Sequence, residues 1–411
     1  MKRVVITGVG VVSPLGSEKD IFWNNLIEGK SGITKISKFD ASAFTAQIGG
    51  EVKGLDIEKY IPSRKERRRM DNFCQYAIAA SKMAAEDSEI DFEAEDPTMM
   101  GAVIGSGIGG IQLLQDQDRL IAERGPSRAS PFLIPMMISN IVPGMVAIEY
   151  NLQGPNFSIV TACATSAHSI GDAYRIIERG ESNVMFAGGS EASIAELGLA
   201  GFCSMRALST RNDSPETASR PFDRDRDGFI MAEGAAIVIL EEYEHAKARG
   251  ADIYCEITGF GMTCDAHHIT APMESGDGCR RAMLKAMSDS SFNPEDIDYI
   301  NAHGTSTPLN DKTETAGIKG AMGDAAYKTA VSSTKSMTGH LLGAAAGLES
   351  IVCCLAIKNG IVPPTMNYTT PDPVCDLDYV PNVAREMDVK ACLNNSLGFG
   401  GHNACLAFKA L

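Results

Sequence analysis

Cys163, His303 and His340 are the side chains whose types and settings best suit nucleophilic chemistry. Cys163 stands in FSIVTACATSAHSIGDAYRIIERG. The apolar run Phe157–Val160 ahead of it reads as a buried strand. Behind it, Ala167, Ile170, Ala173, Tyr174 and Ile177 recur at helical spacing until Gly180 stops the pattern. A cysteine at such a junction lies at a helix N-terminus. Unpaired N–H groups and the helix dipole favour a thiolate there and lower the thiol pKa. A small buried core residue is the commoner fate of a cysteine.

Two distant segments narrow the choice. In DIDYINAHGTSTPLND, a short strand over Tyr299–Ala302 delivers His303 to a Gly/Thr/Ser loop. In AVSSTKSMTGHLLGAAAGLES, a second strand leads to His340, and a helix rich in small residues follows. Either imidazole alone could be a core or capping group. A thiol and two imidazoles, each at a strand exit, form a more specific set. The thiol can accept an acyl group from a thioester, and N–H donors can hold the oxyanion that forms.

The elements that must position these groups read as α/β. The chain has 411 residues, a formal net charge of −15, 44% hydrophobic residues and 40 glycines. That composition fits a globular protein with close helix–sheet packing. Eleven irregularly spaced cysteines do not form a disulfide framework, which favours a reduced, cytoplasmic setting. Gly8, Gly10 and Pro14 interrupt the first apolar stretch, so it is not a signal peptide. No uninterrupted apolar run reaches about 18 residues, so no membrane span is expected. The acidic balance argues against general nucleic-acid binding. VVITGVG at the start is echoed by CEITGFG, with Gly8 matching Gly259 and Gly10 matching Gly261, which suggests two similar halves meeting near residue 251.

Several other patterns mislead. Gly105–Gly110 fits a dinucleotide-binding G-x-G-x-x-G, but no acidic residue closes a second strand at the right distance. Asp223–Gly228 opens like a calcium loop but lacks its last ligand and its helices. Ser332-x-x-Lys335 lacks the companion motifs of penicillin-recognising enzymes. Cys264, His267 and His268 lack zinc spacing.

Taken together, TACATSA, NAHGTST, KSMTGHLLGAAAG and LGFGGHN resemble the condensing enzymes of the thiolase superfamily, in particular the β-ketoacyl-[acyl-carrier-protein] synthases of type II fatty acid synthesis. The motifs occur in family order from RVVITGVGVVSPLG to NSLGFGGHNA. The resemblance implies a duplicated five-layer αβαβα fold with the active site between the halves. Residues 1–251 would carry Cys163, and residues 252–411 both histidines. It implies a decarboxylative condensation of acyl- and malonyl-loaded acyl carrier protein through an acyl-Cys163, with no cofactor and no metal, in a homodimer.

The resemblance also implies roles for further residues. The N–H groups of Cys163 and Phe399 would form the oxyanion hole. Lys335 would be buried, with Asp311, Glu314 and Glu349 as acidic partners that orient groups and balance charge. Thr305 and Thr307 would contact the pantetheine arm. Ile108 would line the middle of the acyl tunnel and points to the synthase II subgroup. The basic run SRKERRRMD, with Arg64, Lys65, Arg67, Arg68 and Arg69, would dock the acidic carrier. Lys65, Arg68 and Arg69 are the docking candidates within it, joined by Arg206 and Thr270. A non-catalytic chain-length factor would lack the cysteine. A thiolase and a cysteine hydrolase differ in product.

Overall fold

The computed structural model describes residues 1–411. The strands of its main sheet, in chain order, are β1 Val4–Val12, β2 Met100–Gly105, β3 Asn156–Phe157, β4 Val184–Glu191, β5 Gly234–Glu242, β6 Cys255–Cys264, β7 Tyr299–Asn301, β8 Ala330–Ser332, β9 Ala391–Gly398 and β10 His402–Lys409. They join in the order β8-β7-β9-β10-β6-β1-β5-β4-β2-β3. From β1 outwards, two antiparallel pairings are followed by two parallel ones. From β6 outwards the same sequence of directions recurs. A short antiparallel pairing of β1 with β6 joins the two sets.

Five helices complete the frame: α1 Asn72–Ser88, α2 Thr165–Glu178, α3 Asp277–Ser290, α4 Pro308–Met322 and α5 Ala345–Asn359. Helix α1 covers β1 from one side, and α3 covers β6 from the other. Helices α2 and α5 pack on each other between the strand sets, α2 reaching β4 and β10, α5 reaching β5 and β9. The layers therefore run helix, sheet, helix, sheet, helix.

The glycine echo has a packing cause. A Cβ at Gly8 or Gly10 would lie 2.3 Å or 1.9 Å from a carbonyl oxygen of α1. One at Gly259 or Gly261 would lie 2.3 Å or 2.0 Å from a carbonyl oxygen of α3. Each outer helix thus rests directly on strand backbone, at a distance only glycine permits.

Small residues do the same for the central layer. The N–H of Gly347 donates to Ser166 Oγ at 2.8 Å, tying α5 to α2. The segment Leu342–Asn359 is long and apolar enough to cross a membrane, but 83% of it is buried inside the protein. It belongs to the central apolar cluster, as Leu348, Ile351, Val352 and Leu355 show.

The run before Cys163 departs from expectation. Only Asn156–Phe157 forms strand, at the sheet edge, and Phe157 and Val160 are exposed by 39% and 55%. An apolar run of this length cannot distinguish a central strand from an uncovered edge strand. No cysteine is paired in a disulfide.

One charged network makes stability depend on pH. His245 Nδ1 lies 2.6 Å from Glu241 and its Nε2 3.0 Å from Glu95. Their hydrogen bonds hold the imidazole above its usual pKa, and burial opposes them only in part. That stabilisation is complete below the unfolded value of about 6.5 and is lost as pH rises through the raised folded value. The melting-temperature gap between the wild type and His245→Gln is therefore expected to be largest near pH 6, about 2 °C, and to shrink towards pH 9. A gap that widens with pH would contradict this reading.

Candidate active site

Cys163 sits on a short turn, Ala162–Ala164, that leads into α2. His303 follows β7, and His340 lies on the segment between Lys335–Thr338 and α5. The thiol sulfur and one ring nitrogen of each histidine lie within 4.8 Å of one another. The two rings meet edge to face, with centroids 5.3 Å apart. All three residues line a cavity of about 590 Å³.

Three strained turns hold this convergence. Ala162, Ser306 and Leu342 have φ of 51°, 68° and 48°, in the left-handed region that non-glycine residues avoid. Each neighbours one member of the trio. Such conformations cost about 1–3 kcal/mol each and persist where the surroundings fix them. For His340 the fixing bonds are visible. Its N–H donates to the Ile230 carbonyl at 2.7 Å, and its own carbonyl accepts from Ala232 at 2.9 Å. For His303, the Glu314 carboxylate accepts from the N–H groups of His303 and Gly304, each at 2.7 Å.

The electrostatics alter the expected picture of the thiol. Burial pushes Cys163 up to about 12, and the Glu191 and Glu349 charges add to it. Lys335 and the nearby Phe399 N–H oppose that shift. The resting nucleophile is therefore a thiol, where the junction alone favours a thiolate. Desolvation in a closed pocket outweighs the end of a helix. Burial and the Lys335 charge hold both imidazoles well below the usual histidine range, so both are neutral. A neutral imidazole beside a thiol can take its proton, and a neutral ring can also donate an N–H.

Lys335 is buried and pairs with Glu349. Glu314 stands near enough for the Lys335 charge to lower its pKa, although burial dominates and pushes it up to about 7. Asp311 sits elsewhere: it accepts from the Phe222 N–H at 2.8 Å and faces Arg226 at 3.6 Å. The acidic partners thus divide between two cations, and Arg226 is a residue that sequence reading missed. A cysteine and two histidines at this spacing would also suit a soft metal ion, but the Lys335 ammonium disfavours a cation there.

The remaining candidates fall around the same cavity. Phe399 lines it at the end of β9. A Cβ on Gly398 would lie 3.3 Å from the Cys163 nitrogen, so that strand end presses against the nucleophile turn. Thr305 and Thr307 line it with their hydroxyls 3.0 Å apart, and Thr307 also caps α4. Arg206 and Thr270 stand on its lining, Arg206 exposed. Ile108 is not enclosed. It is 42% exposed and forms a wall shared by the cavity and an apolar outer groove with Leu114 and Ile138.

In the basic run, Arg67 serves the fold. It pairs with Glu58 at 2.6 Å and donates to the Ile61 and Pro62 carbonyls. Arg69 stacks over Phe132 at 4.3 Å, and Arg64, Lys65 and Arg68 are exposed. Of the misleading motifs, Asp223 accepts from the backbone of Thr369, Thr370 and Asp225 with Arg220 and Arg226 alongside, an arrangement built for internal cations. Cys264, His267 and His268 are exposed and separate from the cavity trio.

Residues 1–246 match the beta-ketoacyl synthase N-terminal domain, and residues 254–369 match the beta-ketoacyl synthase C-terminal domain.

The chain belongs to the β-ketoacyl synthase family.

It is 53% identical over 408 residues to the 3-oxoacyl-[acyl-carrier-protein] synthase 2 of Synechocystis sp., covering 99% of this chain and 98% of that one. The Staphylococcus aureus enzyme of the same name is 50% identical over 408 residues, with the same coverage. A beta-ketoacyl synthase from Burkholderia phymatum superposes with a TM-score of 0.93 at 35% identity, covering 100% of each chain. A type II polyketide ketosynthase, solved with its acyl-carrier protein and bound to a hexaketide, matches at the same score and identity over 100% of this chain and 99% of that one. Family membership gives the α/β architecture above its name: this is the thiolase-like ketosynthase fold.

Proposed function

We propose that this chain is a β-ketoacyl-[acyl-carrier-protein] synthase II. It condenses acyl- and malonyl-loaded acyl carrier protein to a 3-oxoacyl carrier thioester and CO2 in fatty acid elongation. The convergence of one thiol and two neutral imidazoles beside a buried lysine carries the reading. The names of its relatives from Synechocystis sp. and Staphylococcus aureus support it.

The steps follow from the groups present. Cys163 attacks the acyl thioester after passing its proton to a neighbouring imidazole, and the carrier leaves as a thiol. The N–H groups of Cys163 and Phe399 hold the tetrahedral oxyanion. The malonyl thioester then binds with its carbonyl oxygen towards His303 and His340. Their N–H groups stabilise the enolate as CO2 departs. The enolate carbon attacks the acyl-Cys163 carbonyl, and the sulfur leaves as a thiolate that takes up a proton from solvent to restore the thiol. Burial, and behind it the charge of Lys335, which pairs with Glu349, keeps both imidazoles neutral. Glu314 fixes the His303 turn, and Asp311 with Arg226 braces α4. Thr305 and Thr307 guide the pantetheine arm. No step calls for a metal or cofactor.

The division of labour runs between residues 1–251, which bear Cys163, and residues 252–411, which bear both histidines. The carrier docks on Lys65, Arg68 and Arg69, with Arg206 and Thr270 at the cavity mouth. A homodimer fits the uncovered edge strand β3, with its exposed Phe157 and, just beyond it, the exposed Val160. The setting is cytoplasmic.

Two variants test the substrate assignments. Ile108→Phe is expected to lower elongation of long acyl chains by about tenfold while sparing short primers, because a ring at a shared wall cannot fold aside. Equal rates across chain lengths would place Ile108 off the acyl path. Reversing Lys65 and Arg68 to Glu is expected to raise the KM for acyl carrier protein about tenfold and to reduce its salt dependence. Carrier-free thioesters should react as before. Equal losses with both substrates would mean that the basic run supports structure only.

The reading itself is tested by product analysis with acyl and malonyl carriers. A 3-oxoacyl thioester two carbons longer, with CO2, supports it; a free acid or acetoacetyl-CoA overturns it.

A further inference from the structure

The glycine-rich loop after β2 wraps a carboxylate of this same chain. Glu191, the last residue of β4, is fully buried. Its Oε1 accepts from Ser106 Oγ at 3.1 Å, Ser193 Oγ at 3.0 Å and the Ile108 N–H at 3.3 Å. Its Oε2 accepts from the N–H groups of Gly107 at 2.8 Å and Gly343 at 3.1 Å. Ser106 Oγ in turn accepts from the Gly109 N–H at 3.0 Å. Every residue from Ser106 to Gly109 is therefore tied to this carboxylate, directly or through one hydroxyl.

The fit is tight. A Cβ on Gly107 would lie 2.7 Å from Glu191 Oε2, and one on Gly343 would lie 2.9 Å from it. These glycines bring two separate loops onto the same oxygen. One loop carries Ile108, the wall between the cavity and the outer groove. The other begins three residues after His340. All five donors are neutral; burial raises the Glu191 pKa, and the dipoles of these donors oppose that shift and hold the carboxylate.

We propose that Glu191 is a positioning residue that fixes Ile108 and the turn after His340 and thereby sets which acyl-chain lengths the site accepts. This rests on the condensation reading above. A second effect does not. The charges that act on Cys163 are those of Lys335, Glu191 and Glu349, with the neutral His303 and His340 beside the sulfur. The Glu191 charge raises the Cys163 pKa, behind burial, so its removal is expected to make the thiol more acidic.

Glu191→Gln tests both effects. The amide keeps the shape but turns one acceptor into a donor. Its NH2 settles towards Ser106 and Ser193, whose hydroxyls can turn to accept, and the Ile108 N–H loses its partner. The ratio of elongation rates for long and short acyl carriers is expected to change by about tenfold. Alkylation of Cys163 by iodoacetamide at pH 8 is expected to rise roughly threefold, with its pH profile moved to lower pH. A merely structural role would not move that profile. Folding is checked by circular dichroism and thermal melting. If Glu191→Gln does not fold, Ser106→Ala cuts the same tie from the loop side and is expected to change the rate ratio severalfold. A folded Glu191→Gln with an unchanged ratio overturns the proposal whatever its alkylation profile, as does an unchanged ratio in Ser106→Ala where the first variant fails. If the wild type forms no 3-oxoacyl product, the condensation reading falls, while the alkylation shift still reports the Glu191 charge.

Discussion

Cys163→Ala is expected to abolish elongation, to below about 10⁻³ of the wild-type rate. No other thiol lines the cavity, so the acyl group has no carrier on the protein. Decarboxylation of the malonyl carrier is expected to survive, because His303, His340 and their supports are untouched. The two half-reactions are separable by following CO2 release and 3-oxoacyl formation in the same tube. A variant that still makes 3-oxoacyl product would remove Cys163 from the centre of the account.

His303→Ala and His340→Ala are each expected to slow decarboxylation and condensation by about 10² or more, the usual loss for one oxyanion donor. One nitrogen of each ring lies within 4.8 Å of the thiol sulfur. Burial and Lys335 keep them neutral and able to donate an N–H throughout the physiological range. Neither variant should lose the carrier-binding surface, so the loss should fall on turnover. Near-normal CO2 release by both single variants would refute the assigned role.

The parts of this structure that were legible in the sequence are those where a residue type answers a local geometric demand. Gly8, Gly10, Gly259 and Gly261 announced themselves because two helices rest on bare strand backbone. The helical spacing from Ala167 to Ile177 marked a helix buried on nearly all sides, and all five positions are buried. The strand exit at His303 was visible as an apolar run ending in small residues; at His340 the helical turn Lys335–Thr338 stands between β8 and the histidine, where the sequence suggests a strand exit. What brings Cys163 and the histidines together was carried by the family motifs, since the spacing of residues 163, 303 and 340 says nothing of proximity.

The rest depends on tertiary surroundings. The thiol pKa was misjudged because the junction is local and the desolvation is not. Phe157–Val160 looks like a core strand until the sheet order places it at an edge. Asp311 lay among the expected partners of Lys335, but Arg226 reaches it first from the Asp223–Gly228 turn. Glu191 left no signal beyond a polar residue ending an apolar strand, and the glycine-rich loop that cradles it resembled a phosphate site. The same backbone property, N–H groups exposed by glycines, serves either anion.

The most direct measurement is mass spectrometry of the intact chain after incubation with acyl-loaded carrier protein, followed by peptide mapping. The account predicts a single acyl adduct on Cys163. Adding malonyl carrier protein should clear it, with release of CO2 and a 3-oxoacyl carrier two carbons longer. An adduct on another residue, or clearance of the Cys163 adduct as a free fatty acid without malonyl carrier, would contradict it.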